Sequence, residues 1–126
     1  MKILLVVPGK FKTVPMSKFS AKALSELGNE VLVQSYHESV IEKLLSYVSR
    51  FLKTDSEKYS VINKRIQGAI CEFKPDLLLA IYGTSLSKKT LDTARQFGAK
   101  TACWWLNDPF QFERGLAIAK DYDFWF

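Results

Sequence analysis

The chain has 126 residues, 48% of them apolar and 25% charged, with a formal net charge of +5. That size and balance describe one folded domain with a real core, and exclude a disordered or low-complexity chain. No stretch approaches the roughly 18 apolar residues that a membrane-spanning helix needs.

The opening Met1-Lys2-Ile3-Leu4-Leu5-Val6-Val7-Pro8-Gly9 is too short in its apolar run for a secretory leader, and no small-residue cleavage site follows. Ile3–Val7 is predicted as a first strand, continuous in apolar character as when both sheet faces are covered. Lys10, Lys12, Lys18 and Lys22 follow with no acid between Pro8 and Ala23. Such a segment attracts a phosphate, an anionic polymer or a membrane surface, or it is a solvated helix start. A nucleic-acid partner is not expected, because no basic helix with base-reading residues occurs.

Met16, Phe19, Ala23, Leu24 and Leu27 recur at helical spacing, with Pro15 near the start and Gly28 as the stop. Val31–Val33 is the second strand. The lone His37 follows it in a loop. Behind a predicted cap at Ser39, the residues Val40, Ile41, Leu44, Leu45, Tyr47, Val48, Phe51 and Leu52 form a wide apolar stripe. After a break at Lys53–Ser56, a second stripe runs from Tyr59 to Phe73 and ends at Pro75. Two helices in one crossover exceed the need of a βαβ unit. Covering a sheet face is the default use of the surplus, and a wall of a binding cleft is the alternative.

Leu77–Tyr82 is the third strand. A helix marked by Leu91, Ala94 and Phe97 is capped by Ser87 and ended by Gly98. Thr101–Leu106 is the fourth strand and Tyr122–Phe126 the fifth. Alternating strands and helices imply a Rossmann-like three-layer α/β/α fold with a five-stranded parallel sheet, order 2-1-3-4-5. The loops after strands one, three and four then meet on the carboxyl edge, where open α/β sheets bind ligands. Cys71 and Cys103 lie in apolar settings and read as buried free thiols, which suits a cytoplasmic location.

Three loops carry the candidate chemistry. Pro8-Gly9-Lys10-Phe11 has one glycine and matches neither GxGxxG nor GxxxxGK[ST], so nicotinamide, flavin and ATP sites are disfavoured and no cofactor is expected. Gly9 admits close approach of a ligand to backbone, or forms a plain turn. Gly83-Thr84-Ser85-Leu86-Ser87 is small and hydroxyl-rich; its backbone could receive an anion or a sugar hydroxyl, or simply cap the next helix. Asn107-Asp108-Pro109 ends an abruptly apolar strand. There Asp108 could accept hydroxyls or act as a base, and the same residues commonly form turns. No metal-ligand spacing is present.

The segments Lys2–Val6 and Ala23–Val31 resemble the opening of two-Rossmann-domain (GT-B) glycosyltransferases. Phe73–Leu79, Gly98–Ala102, Trp104-Trp105-Leu106-Asn107-Asp108-Pro109 and Tyr122–Phe126, in that order and spacing, resemble the amino-terminal domain of the spore-maturation CgeB-like glycosyltransferases. The resemblance covers nearly the whole chain. It implies that residues 1–126 form an acceptor-side domain, with a nucleotide-sugar donor held by a second, carboxyl-terminal Rossmann domain beyond Phe126. A glycan or other surface acceptor would bind here. Asp108 would match the family's aspartate before proline and be the catalytic candidate, with Gly9, Lys10, Gly83, Thr84 and Asn107 around the ligand. Asn107 departs from the Asp-Asp-Pro common at that turn. A non-catalytic α/β module binding a small ligand or a partner protein is the alternative.

Overall fold

The computed structural model describes residues 1–9, 15–51, 60–106 and 111–126. The elements in order are β1 (Lys2–Val7), α1 (Pro15–Glu26), β2 (Glu30–Ser35), α2 (Val40–Phe51), α3 (Ser60–Phe73), β3 (Leu77–Ile81), α4 (Lys88–Gln96), β4 (Lys100–Trp104), α5 (Phe112–Ala119) and β5 (Phe124–Trp125). The five strands form one sheet in the order β2-β1-β3-β4-β5, and every pairing is parallel. The expected fold class and strand order are therefore present. In the register, Leu4 lies between Leu32 and Leu78.

Alternation along β1 sorts the core into two layers. Leu4 and Val6 pack with Ile62, Ile66 and Ile70 of α3 and with Leu91 and Ala94 of α4. Leu5 and Val7 face the other way, toward Ala21 and Leu24 of α1. All four β1 residues are fully buried, each contributing roughly 1.5–3 kcal/mol of apolar transfer energy. The helix ends follow local chemistry. Ser39 and Glu42 form a reciprocal capping box, with Glu42 N–H donating to Ser39 Oγ at 3.2 Å and Ser39 N–H to Glu42 Oε2 at 2.7 Å. Ser87 caps α4, accepting from Thr90 N–H at 3.3 Å.

Three expectations differ from the structure. First, α1 covers the second face only over β1 and β2. Beyond it, an open surface of Leu77, Leu79, Ala102, Trp104 and Phe126 continues into a cavity of about 540 Å³ against Met16, Phe19 and Ala23. The apolar stripe read along α1 thus borders a strip of sheet that no helix covers among the described residues. Second, α3 takes the sheet-covering role that the crossover was expected to give to both its helices. α2 packs on α3 by its polar side, and its apolar stripe faces outward. Third, Cys71 is exposed and only Cys103 is buried, because Cys71 sits on the outward side of α3.

At the β4–β5 edge, Arg95 joins three segments. Its guanidinium donates to Asp92 Oδ1 at 2.9 Å, to Thr101 Oγ1 at 3.0 Å, to Asp123 Oδ1 at 3.2 Å and to the Asp121 carbonyl. Asp123 Oδ2 also accepts from the Thr101 N–H at 2.8 Å and the Thr101 hydroxyl at 2.9 Å. Burial opposes its charge, but the Thr101 donors and Arg95 outweigh burial and hold the carboxyl below its ordinary value of 3.8. A carboxylate with a depressed folded-state pKa stabilises above its unfolded pKa and loses that contribution as pH falls through the folded value. Asp123→Asn is therefore expected to destabilise by about 1 kcal/mol at pH 7. Melts of both proteins should show that gap closing below about pH 4. An equal gap at pH 7 and pH 3 would contradict this account.

Candidate functional site

The carboxyl ends of β1 and β3 lie side by side where the strand order reverses, the place at which open parallel sheets receive ligands. Gly9 follows β1, exposed and in the left-handed region at φ 62°. Tyr82, Gly83 and Thr84 follow β3. Tyr82 is itself left-handed at φ 73°, and Gly83 at φ 50°. The Thr84 N–H folds back to the Tyr82 carbonyl at 2.6 Å, making a tight three-residue turn. Two successive left-handed residues, one of them an aromatic, are a costly conformation that the surroundings must hold in place.

The floor beneath Gly83 supplies that hold. The Tyr122 hydroxyl donates to the Gly83 carbonyl at 2.9 Å. A β-carbon at Gly83 would lie 2.6 Å from that hydroxyl and 2.7 Å from Cys103 Sγ. Tyr36, after β2, packs into the same cluster. Burial raises the Tyr36 phenol well above the ordinary range and the Cys103 thiol adds to this, while the Gly83 backbone opposes both more weakly. Burial likewise raises Tyr122, with Tyr36, Cys103 and Asp121 reinforcing it. The Cys103 thiol is pushed up to about 12 by burial. All three groups are neutral near pH 7. A protonated, enclosed thiol is a poor nucleophile, so the cluster is a support for the loop and not a reactive centre.

The rest of the β3–α4 loop is fixed from α3. Asn63, 4% exposed, accepts from Ser87 N–H at 2.8 Å and from the Thr90 hydroxyl at 2.7 Å, and donates to the Ser85 carbonyl at 2.9 Å. Ser87 therefore serves capping, the plainer of the two roles open to this loop.

The wall after β4 is aromatic. Trp105 stacks on Tyr82 with centroids 4.8 Å apart and on Trp125 at 5.5 Å. Gly115 of α5 lets the indole approach, since a β-carbon there would sit 3.0 Å from it. The Tyr82 hydroxyl donates to Gln111 Oε1 at 2.6 Å. The buried Trp105 indole N–H meets no hydrogen-bond partner among the described residues.

Of the residues singled out in the sequence, Gly9, Gly83 and Thr84 come to one edge as the strand order requires. Lys10, Asn107 and Asp108 lie outside the described residues. His37 is also at this edge, its N–H donating to Ser35 Oγ at 3.0 Å and its carbonyl accepting from Arg65. Tyr36, Tyr82 and Trp105 were not singled out, because aromatic residues beside apolar strands read as core, and Asn63 and Gln111 because a single amide in or beside a helical stretch does not announce its partners. No group of three His, Cys, Asp or Glu side chains poised for a metal exists among the described residues. None of the described helices is long and apolar enough to cross a membrane.

Compared with protein-family models and with curated protein sequences, the chain matches none. The functional reading therefore rests on the edge itself and on the sequence resemblance. The 540 Å³ cavity on the open sheet face is not a competing site for a polar ligand. Its lining offers one hydroxyl, Ser20, among apolar side chains, and polar ligands need several oriented partners.

Proposed function

We propose that the chain is the acceptor-side domain of a glycosyltransferase, moving a sugar from a nucleotide-sugar donor to a glycan or other surface acceptor. The observation that carries this reading is the β1/β3 edge. It combines approachable backbone at Gly9 with a small, hydroxyl-bearing turn at Gly83-Thr84 and the half-buried ring of Tyr82, which stacks on the buried Trp105. Hydroxyl-sized polar contacts beside an aromatic face suit a sugar ring. The loop Pro8-Gly9-Lys10 lacks the glycine pattern that cradles a pyrophosphate. On this reading the donor belongs to a second Rossmann domain, and Asp108 is the base or hydroxyl acceptor.

The test is a titration of the chain with neutral oligosaccharides and with UDP-, GDP- and dTDP-sugars, read by backbone amide shifts. Oligosaccharide shifts centred on Gly9, Gly83 and Thr84, with no saturable nucleotide-sugar binding, are the expected result. Tight nucleotide-sugar binding would overturn the assignment of the donor to another domain. The alternative reading, a non-catalytic binding module, is favoured by the internally satisfied Asn63–Ser87–Thr90 network and the neutral Tyr36–Cys103–Tyr122 floor. It predicts the same carbohydrate shifts and no loss of function in Asp108→Asn. Transfer by the full-length parent lowered roughly 10²-fold by that substitution, with an unchanged melt, would decide for the enzyme.

A further inference from the structure

α2 is amphipathic in the inverted sense. At 100° per residue, Val40, Ile41, Leu44, Leu45, Tyr47 and Val48 share an arc of roughly 160°. Such a stripe ordinarily faces the core. Here those six residues are between 44% and 84% exposed. The polar side is what the protein holds. Glu42 accepts twice from Arg65 Nη1, at 2.8 and 2.9 Å, and its side chain is only 15% exposed. Arg65 also donates to the Ser35 and His37 carbonyls, tying α2 and α3 to the end of β2. Burial opposes the Glu42 charge, but the Ser39 capping contacts and Arg65 hold its carboxyl below the ordinary range. The orientation is thus fixed by a multi-bonded ion pair, and the outward stripe is a consequence of it.

We infer that this stripe is a homodimer interface, with α2 packing against α2 of a second copy. The area supports that occupant. Six side chains so exposed offer at most roughly 700 Å² per copy, enough for a modest interface against the ~800 Å² per partner of a standard one. The interface is also apolar throughout, as in interfaces between permanent subunits. Charge argues against a lipid surface as the occupant. Helices lying on membranes flank the apolar face with several cations. The α2 sequence carries two cations, Lys43 and Arg50, against one acid, Glu42. Two copies related by a two-fold axis would cross antiparallel with Leu44 near the axis and Val40 against Val48 of the partner subunit, which is self-complementary. A near-antiparallel helix pair of this kind interlocks through residues spaced three and four apart, the spacing that the stripe provides.

Sedimentation of the 126-residue chain in reductant, which keeps the exposed Cys71 from cross-linking, tests the inference. The expected result is a concentration-dependent dimer with a dissociation constant of about 10 µM or lower. Leu44→Glu should weaken it by about 100-fold, with an unchanged melt at concentrations where both proteins are monomeric. If that variant fails to fold, Leu44→Ser carries the same test with a loss of about tenfold. A wild-type chain that stays monomeric up to ~200 µM overturns the inference, whether or not it floats with phosphatidylglycerol vesicles. A dimer unaffected by the folded Leu44 variants overturns it as well.

Discussion

Gly83→Ala is expected to lower the melting temperature by roughly 10 °C, a loss of about 3 kcal/mol. Two costs combine at this position. The backbone is left-handed at φ 50°, which costs an alanine roughly 1–2 kcal/mol. The new methyl would also meet Tyr122 Oη at 2.6 Å and Cys103 Sγ at 2.7 Å, both held from below and neither the tip of a flexible chain. Moving Tyr122 breaks its 2.9 Å bond to the Gly83 carbonyl and disturbs the start of β5. Tyr122→Phe separates the contributions. It removes the hydroxyl and the closest clash, so Gly83→Ala should cost less in that background than in the wild type. Thermal melts of the four proteins in this cycle provide the check. Equal costs in both backgrounds would mean that the Tyr122 hydroxyl adds nothing, leaving the backbone conformation and Cys103 as the cause.

Asn63→Leu is expected to destabilise by about 3 kcal/mol, among the largest single effects available in this chain. The two side chains are similar in volume, so the loss is one of hydrogen bonding. Three partners go unsatisfied together: the Ser87 N–H, the Thr90 hydroxyl and the Ser85 carbonyl. Gln67 Nε2 donates to Thr90 Oγ1 at 2.9 Å and partly retains that hydroxyl. The variant should also release the β3–α4 loop, seen as faster amide hydrogen exchange at Ser87 and Thr90 relative to β1. Destabilisation below about 1 kcal/mol would show that water replaces the amide at this site.

The strand order was legible because Ile3–Val7 and Leu77–Ile81 are unbroken apolar runs separated by helical spacing. Such runs belong at the centre of a parallel sheet, where the structure has them. Glycines at the helix ends were equally plain: Gly28 and Gly98 stand at φ 81° and 86°. The orientation of α2 was not legible. Periodicity says which residues share a side of a helix, but not which side turns inward. That choice was made by Glu42 and Arg65, two residues from different helices. Cys71 failed for a related reason, since its apolar neighbours in sequence lie around the helix from it. Tyr122 looked like the first residue of a strand, yet its hydroxyl props the loop after β3 from 39 residues away. At the candidate site, the edge position of Gly9, Gly83 and Thr84 followed from topology alone. The Tyr82–Trp105 wall did not, because both residues fell inside runs read as strand.

The Tyr82–Trp105–Trp125 stack gives the molecule an optical property of its own. Of the three tryptophans, Trp104 belongs to β4, Trp105 follows it directly and Trp125 belongs to β5. Trp105 and Trp125 lie 5.5 Å apart at an interplanar angle of 29°, near enough for their excited states to couple. Tryptophan emission excited on the red edge, beyond tyrosine absorption, therefore reports on the β4–β5 edge of the sheet. That emission registers the packing of β5 against the end of β4, without an attached dye.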